Sequence, residues 1–150
     1  MKNKFKKSIE ILIADDDAED RMLIRDAFIE SRVTNNLQFV EDGEQLMDYL
    51  YNSGSFSDKE KHPRPGFILL DLNMPRKDGC EALKIIKSDK HLRSIPIVVL
   101  TTSKAEKDIM KTYDLGVSSF ITKPIRFEGL VEIMKTLNKY WLEIVELPNI

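Results

Sequence analysis

The amino-acid sequence predicts an α/β fold, with helices on both faces of a doubly wound five-stranded parallel sheet. Short, nearly all-apolar segments recur along the 150-residue chain, and strands buried on both faces have this composition. Each segment is followed by a stretch with apolar residues at helical spacing. This alternation of strands and helices is typical of a doubly wound sheet, and right-handed crossovers leave few alternative topologies.

The first two strand-helix units carry acidic residues at their turns. Residues 9–14 predict a strand that ends in the acidic run 15–17, and Asp17 is expected to cap the following helix. Residues 37–41 predict a second strand, which residues 42–43 turn into a second helix. The predicted inward-facing positions of these helices are Leu23, Ile24, Ala27, Phe28, Leu46, Met47 and Leu50.

A loop and a third unit follow. Residues 52–66 are rich in Gly, Ser and Pro, and their apolar residues follow neither the helical nor the strand periodicity. This segment predicts a long exposed loop within the domain. The apolar segment 67–70 ends on Asp71, which places this carboxylate at a strand exit, where open α/β sheets bind ligands. Asp78 and Gly79 then begin a helix. Its predicted inward positions are Ala82, Leu83 and Ile86.

Two further units complete the sheet. Residues 96–100 predict a fourth strand that exits onto Thr101, and residues 103–106 form a capping-box pattern for the next helix. Residues 117–121 predict a fifth strand, and the last helix is predicted over residues 126–146. The predicted inward positions of these two helices are Ile109, Met110, Tyr113, Leu130, Ile133, Met134, Leu137 and Trp141.

Composition excludes several classes of function. The formal net charge of −2 lacks the basic footprint of a nucleic-acid-binding protein. The single cysteine, Cys80, cannot form an internal disulfide, and no long apolar span opens the chain. We therefore expect a protein of the reducing cytoplasm without membrane association. The expected organisation is a flexible basic tail at 1–8, one domain at 9–146 and a C-terminal tail at 147–150.

Side chains suited to phosphate chemistry stand at the predicted ends of four strands. They converge if those strands lie side by side. Clustered carboxylates repel one another unless a cation lies among them, and a few hard oxygen ligands suit Mg²⁺, for which Mn²⁺ can substitute. No Cys and His set resembles a zinc site. The residues are Asp15, Asp16, Asp71, Thr101 and Lys123.

These residue types predict phosphoryl transfer. Beside a cation, Asp71 can act as a carboxylate nucleophile that forms a phosphoanhydride. Such a transfer mainly requires positioning and neutralisation of the phosphoryl oxygens, for which Lys123 offers a charge and Thr101 a hydrogen bond. A carboxylate that is already ionised at neutral pH needs no general base.

Together these motifs resemble the receiver domain of two-component response regulators, which has the CheY-like fold. The resemblance is carried by the acid pair 15–16, by Asp71 followed by Asn-Met-Pro and Asp-Gly, by Thr101, and by an aromatic residue with Lys-Pro after the fifth strand. It covers about residues 9–142.

The resemblance implies roles for individual residues, together with the strand order 2-1-3-4-5. Asp71 would be the phosphoacceptor, and Asp16 would bind Mg²⁺ directly while Asp15 does so through water. Asp71 and the backbone carbonyl of Asn73 would complete the metal ligands.

The resemblance also assigns Thr101 and Lys123 to contact with the phosphoryl group, and Thr101 and Phe120 to a conformational switch. It further implies a cis peptide bond between Lys123 and Pro124.

The long loop 52–66 and the extended last helix with its apolar tail are similar to stand-alone receivers that partner phytochrome-type histidine kinases. This resemblance implies phosphoryl transfer from a histidine kinase or a phosphotransfer protein, and a symmetric dimer through the last helix and tail. Residues 143–150 are too short for a further domain, so output through protein contacts is expected, without turnover of an external substrate. Trp141 is predicted to pack either against its own domain or in the dimer.

Two alternatives are left open, an adaptor and a phosphatase, and a third, a flavodoxin, is largely excluded. A receiver-shaped adaptor that is never phosphorylated would have the same fold. A Mg²⁺-dependent phosphatase of the haloacid-dehalogenase type would use Asp15 and Asp17, but it would leave Asp71 unused. A flavodoxin would need a hydroxyl-rich phosphate cradle where this chain has three acids.

Overall fold

The structure, a computed structural model, describes residues 9–102, 105–144 and 146–148. Its described part contains a parallel sheet in the order β2-β1-β3-β4-β5, which confirms the predicted fold and strand order. The strands are β1 (Ile11–Ala14), β2 (Leu37–Val40), β3 (Phe67–Leu70), β4 (Ile97–Thr101) and β5 (Ser119–Thr122). The helices are α1 (Ala18–Glu30), α2 (Gly43–Leu50), α3 (Gly79–Ser88), α4 (Glu106–Asp114) and α5 (Phe127–Leu137).

The sheet is covered on both faces because alternate residues of its central strands point to opposite sides. One face packs against α2 and α3, and the other packs against α1 and α5. All side chains of β1, β3 and β4 are buried, which explains their continuous apolar sequences. Each large aliphatic side chain buried there stabilises the fold by about 2 kcal/mol.

Aspartates begin three of the helices. The Asp17 carboxylate accepts hydrogen bonds from the backbone N–H groups of Glu19 and Asp20, which confirms its predicted capping role. Asp42 and Asp78 cap α2 and α3 in the same way. These caps satisfy backbone donors that a helix leaves unpaired at its start, and each contributes about 1 kcal/mol.

The predicted inward face of α4 is wrong. Met110 is 63% exposed and Tyr113 is 48% exposed, whereas Thr112 is buried. Burial of this polar residue is possible because its hydroxyl lies within hydrogen-bond distance of two acceptors, the backbone oxygens of Asp108 and Ile109, and can donate its one hydrogen to either. The observed start of α4 also differs from the start that the capping-box pattern at 103–106 predicted. The helix begins at Glu106, and Ala105 is the residue before it. Ser103 and Lys104 lie outside the described residues.

The last helix is not a regular α-helix throughout 126–146. It ends at Leu137 and continues as a π-helix over Asn138–Ile144, while Val145 lies outside the described residues. Trp141, in this wider turn, packs against Phe67 of β3 at a ring-centroid distance of 5.7 Å. Trp141 therefore packs against its own domain.

The loop after α2 is largely exposed, as predicted, but an aromatic cluster attaches it to the domain. It contains a short 3-10 helix at Gly54–Phe56, and the rings of Phe56 and His62 pack against Tyr49 of α2. The Tyr49 hydroxyl donates to the backbone oxygen of Pro63 at 2.9 Å. This aromatic cluster attaches the loop to the core. The expected basic tail at 1–8 lies outside the described residues.

Candidate functional site

The predicted site residues meet at the carboxyl edge of the sheet. Strands β1, β3, β4 and β5 are successive neighbours, so the residues at their ends come together although they are distant in sequence. Asp15 follows β1, Asp71 follows β3 and Thr101 ends β4. Lys123 follows β5, and its ammonium Nζ lies 3.1 Å from Oδ2 of Asp71.

Three carboxylates form a group of the kind that binds a hard cation. Asp15, Asp16 and Asp71 each offer an oxygen, and these oxygens lie within 4.8 Å of one another. Asp15 and Asp71 are buried, while Asp16 is exposed. Since oxygen donors at this spacing match the preference of Mg²⁺ and Mn²⁺, the residues fit a divalent ion. Asp17 is engaged as the cap of α1.

Asp71 receives hydrogen bonds on both carboxylate oxygens. Its Oδ1 accepts from the hydroxyl of Thr101 at 2.8 Å and from the backbone N–H of Asn73 at 3.1 Å. The Asn73 amide Nδ2 also lies 3.4 Å from the Thr101 hydroxyl. Thr101 is fully buried, so its position relative to Asp71 is set by packing as well as by the bond.

Lys123 contacts one carboxylate that sequence reasoning missed. Its Nζ lies 2.7 Å from Oδ2 of Asp15 and 2.8 Å from Oδ2 of Asp20. Asp20 is the third residue of α1, and helical side chains lean toward the helix N-terminus. That lean, combined with a strand exit just before the helix, is the signal that could have identified Asp20.

Burial and charge act against each other on the two buried members of this network. Burial alone would lower the pKa of Lys123, but its hydrogen bonds to Asp15 and Asp20 outweigh that effect and raise the pKa above the ordinary 10.5. For Asp15, burial dominates and raises the pKa above its ordinary 3.8, against the opposing effect of Lys123. Lys123 is therefore a cation at neutral pH.

Phe120, the predicted switch aromatic, is half-buried in β5 beside the core under α2 and α3. Its backbone N–H donates to the hydroxyl of Tyr113 in α4 at 3.1 Å, a contact that the sequence did not indicate. The peptide bond between Lys123 and Pro124 is trans, so the implied cis bond is wrong.

A cleft of about 210 Å³ opens beside Lys123. The start of α1 lines one side, including Asp20 and Leu23, and the segment from Pro124 to Phe127 lines the other. Ile125 in this segment is fully exposed. Asp20 and Lys123 are thus the members of the charged network that line this cleft.

Comparison with known proteins identifies the family. The family model described as the response regulator receiver domain matches residues 11–135. The chain belongs to the response regulator receiver family. This family assignment, together with the engagement of Asp17 as a helix cap, disfavours the phosphatase and flavodoxin alternatives.

Individual relatives resemble this receiver over nearly its whole length. Response regulator Rcp1 of Synechocystis sp. is 38% identical over 138 residues, which are 92% of each chain. The crystal structure of the phosphorylated cyanobacterial phytochrome response regulator RcpA is 40% identical, with a TM-score of 0.88 over 95% of this chain and 100% of that one. The Mn²⁺-bound form of Rcp1 is 38% identical, with a TM-score of 0.85 over 94% of this chain and 99% of that one.

Among the described residues, no helix is both long enough and apolar enough to span a bilayer.

Proposed function

We propose that this receiver accepts a phosphoryl group on Asp71 from the phosphohistidine of a histidine kinase or phosphotransfer protein. The observation that carries the proposal is the set of contacts around Asp71: a buried carboxylate held by Thr101, Asn73 and Lys123. The carboxylate attacks phosphorus, and a P–O bond forms as the P–N bond breaks. The electron pair of the broken bond returns to the imidazole.

The proposed cofactor is Mg²⁺, with Mn²⁺ as a substitute, and the Mn²⁺-bound form of the relative Rcp1 supports this choice. Asp15, Asp16, Asp71 and the backbone carbonyl of Asn73 would hold the ion. When bound, it neutralises charge on the phosphoryl group. Lys123 supplies a second positive charge, and Thr101 supplies a hydrogen bond once its hydroxyl leaves Asp71.

The proposed output is a change in protein contacts. Movement of the Thr101 hydroxyl toward a phosphoryl oxygen would free space for the ring of Phe120 to move inward. Because the backbone N–H of Phe120 is hydrogen-bonded to the hydroxyl of Tyr113, such a movement would also shift α4. Met110 and Tyr113 are exposed on α4, so the altered surface would carry apolar groups that a partner can bind.

The proposed phosphoryl source is a phytochrome-type histidine kinase, and the likeness to the phytochrome response regulator RcpA supports this partner. In this proposal the chain is a stand-alone receiver in the cytoplasm and dimerises through its last helix and tail. It undergoes phosphoryl transfer and autodephosphorylation, and it does not turn over an external substrate.

The first prediction concerns Asp71. Incubation with acetyl phosphate and Mg²⁺ should add one phosphoryl group to the wild-type chain, which intact mass spectrometry would detect. Asp71→Asn should remain unmodified because an amide is a much poorer nucleophile than a carboxylate. Asp78→Asn is a matched control, since asparagine also caps helices well and the residue lies in the same loop.

The control should be modified to the same extent as wild type. A phosphoryl adduct that persists in Asp71→Asn would refute the assignment of the acceptor. A wild-type chain that acquires no phosphoryl group from acetyl phosphate or from a phosphorylated phytochrome-type kinase would instead support the adaptor alternative.

A further inference from the structure

The ammonium of Lys123 is shared by three carboxylates of unequal exposure. Its distances to Oδ2 of Asp15, Asp20 and Asp71 are 2.7, 2.8 and 3.1 Å. The side chains of Asp15 and Asp71 are 2% and 7% exposed, whereas that of Asp20 is 36% exposed. An ammonium has three N–H donors, so these contacts use all of them.

Two of these carboxylates are also candidate ligands of a divalent ion. Asp15 and Asp71 also belong to the group whose oxygens lie within 4.8 Å and fit a divalent ion, and Asp20 does not belong to it. A dication and an ammonium on the same two carboxylates repel each other, because like charges at such distances interact strongly in a partly buried site. Lys123 would therefore compete with a bound ion for Asp15 and Asp71.

We propose that Asp20 is a positioning residue that holds Lys123 beside the site while a divalent ion occupies the oxygens of Asp15 and Asp71. This inference rests on the proposed function, in which the ion and Lys123 act together on the phosphoryl group. Asp20 lies in the first turn of α1, and its backbone N–H is bonded to the cap Asp17 at 3.1 Å. It is thus anchored in the fold independently of the ion.

Removal of the Asp20 charge leaves Lys123 with only the two carboxylates that the ion requires. Asp20→Asn should then raise the dissociation constant for Mn²⁺ by about tenfold, the scale of one charge-assisted hydrogen bond. Lys123→Met should lower the dissociation constant, because it removes the competitor. In the Lys123→Met background, Asp20→Asn should change the constant little, since the residue through which it acts is gone.

A matched control separates this role from a simple loss of negative charge. Glu19 precedes Asp20 in the same helical turn and is exposed, and it is not among the three carboxylates on Lys123. Glu19→Gln removes the same charge from nearly the same place. Its effect on Mn²⁺ affinity should be much smaller than that of Asp20→Asn.

The experiment is a titration of each full-length variant with Mn²⁺ alone, read from the electron paramagnetic resonance signal of the free ion. No phosphoryl donor is present, and circular dichroism verifies folding. Asp20→Ser replaces Asp20→Asn should that variant fail to fold. The inference is overturned if Asp20→Asn matches Glu19→Gln, or if its effect persists in the Lys123→Met background.

Failure of the proposed function would give a different pattern. Mn²⁺ that binds neither to wild type nor to any variant, or that binds equally well to Asp16→Asn and Asp71→Asn, would reject the metal site itself and the inference with it. Metal binding that requires Asp16 and Asp71 but ignores Asp20 would leave the proposed function standing and reject only the role of Asp20.

Discussion

The positive charge of Lys123 compensates more than one buried carboxylate in this site. Its ammonium offsets the burial of Asp15, whose pKa is raised by that burial, and at the same time it contacts the predicted acceptor Asp71. Buried charges are tolerated only where such partners exist, because an unpaired one costs several kcal/mol. A cation that enters the acidic group would take over part of this compensation.

Tyr49 allows a prediction of pH dependence at the residue scale. Burial, followed by the charge of Glu10, raises the pKa of Tyr49 above its ordinary 10.0. A folded-state pKa above the unfolded value means that the stabilisation is fully present below pH 10 and is lost as pH rises above it. Tyr49→Phe should therefore lose less free energy of unfolding than wild type when the pH is raised above 10, as measured by urea denaturation.

At neutral pH, Tyr49→Phe should cost about 1 kcal/mol, because the hydrogen bond to Pro63 is lost. Tyr140→Phe is the control, since Tyr140 is 52% exposed, and it should leave the free energy of unfolding nearly unchanged at neutral pH. The prediction would be contradicted if wild type and Tyr49→Phe lost the same free energy of unfolding above pH 10.

Among the elements, the segment after β3 is held by its contact with the start of α2. A Cβ atom on Gly43 would overlap the backbone oxygen of Lys77. Arg76 forms an ion pair with the buried Asp42 at 3.3 Å. The turn that follows Asp71 is thus positioned by a neighbouring helix as well as by its own sequence.

Gly43→Ala should destabilise the protein by about 3 kcal/mol, because the new methyl group must displace backbone. The matched control is Gly54→Ala, where φ is +57° and the nearest atom to an added Cβ lies 4.0 Å away. There only backbone strain of about 1 kcal/mol is expected. Urea denaturation measures both changes, and equal costs at the two positions would reject the steric argument.

The hydrogen bond between α4 and β5 gives a second prediction at the element scale. Tyr113→Phe removes the acceptor of the Phe120 N–H, so hydrogen exchange at that amide should become about tenfold faster. Tyr51→Phe, which removes a hydroxyl bonded to Asp89 instead, is the control. Unchanged exchange at Phe120 in Tyr113→Phe would show that the bond does not protect this amide.

For the whole molecule, the proposed dimer must use groups that the monomer does not already bury. Trp141 packs against Phe67 within its own domain, whereas its neighbour Tyr140 is 52% exposed. Tyr140 is therefore the better position at which to test assembly, since a charge at Trp141 would also disturb the core.

Light scattering should show a dimer of the wild-type chain that Tyr140→Glu weakens by at least about tenfold, the scale of an interface residue of this type. Met22→Glu is the matched control, because Met22 is similarly exposed, at 54%, but lies on α1. A monomeric wild type at every accessible concentration would reject the proposed dimer.

Sequence alone determined the features that depend on near neighbours along the chain. The alternation of apolar runs with helical spacing predicted the five units, and the caps at Asp17 and Asp78 followed from their positions before helices. The strand exits at Asp15, Asp71 and Thr101 were visible for the same reason. Each of these signals lies within a few residues of the structure that it specifies.

Only the tertiary structure decided which distant groups meet. The contact of Asp20 with Lys123 joins residues 103 positions apart. Trp141, which packs on Phe67, lies in a π-helical segment that the residue spacing did not predict. The helical period of α4 did not show that Met110 remains exposed, because exposure depends on which neighbouring elements cover a face. Spacing defines a face of a helix, whereas strand order and register determine what lies against it.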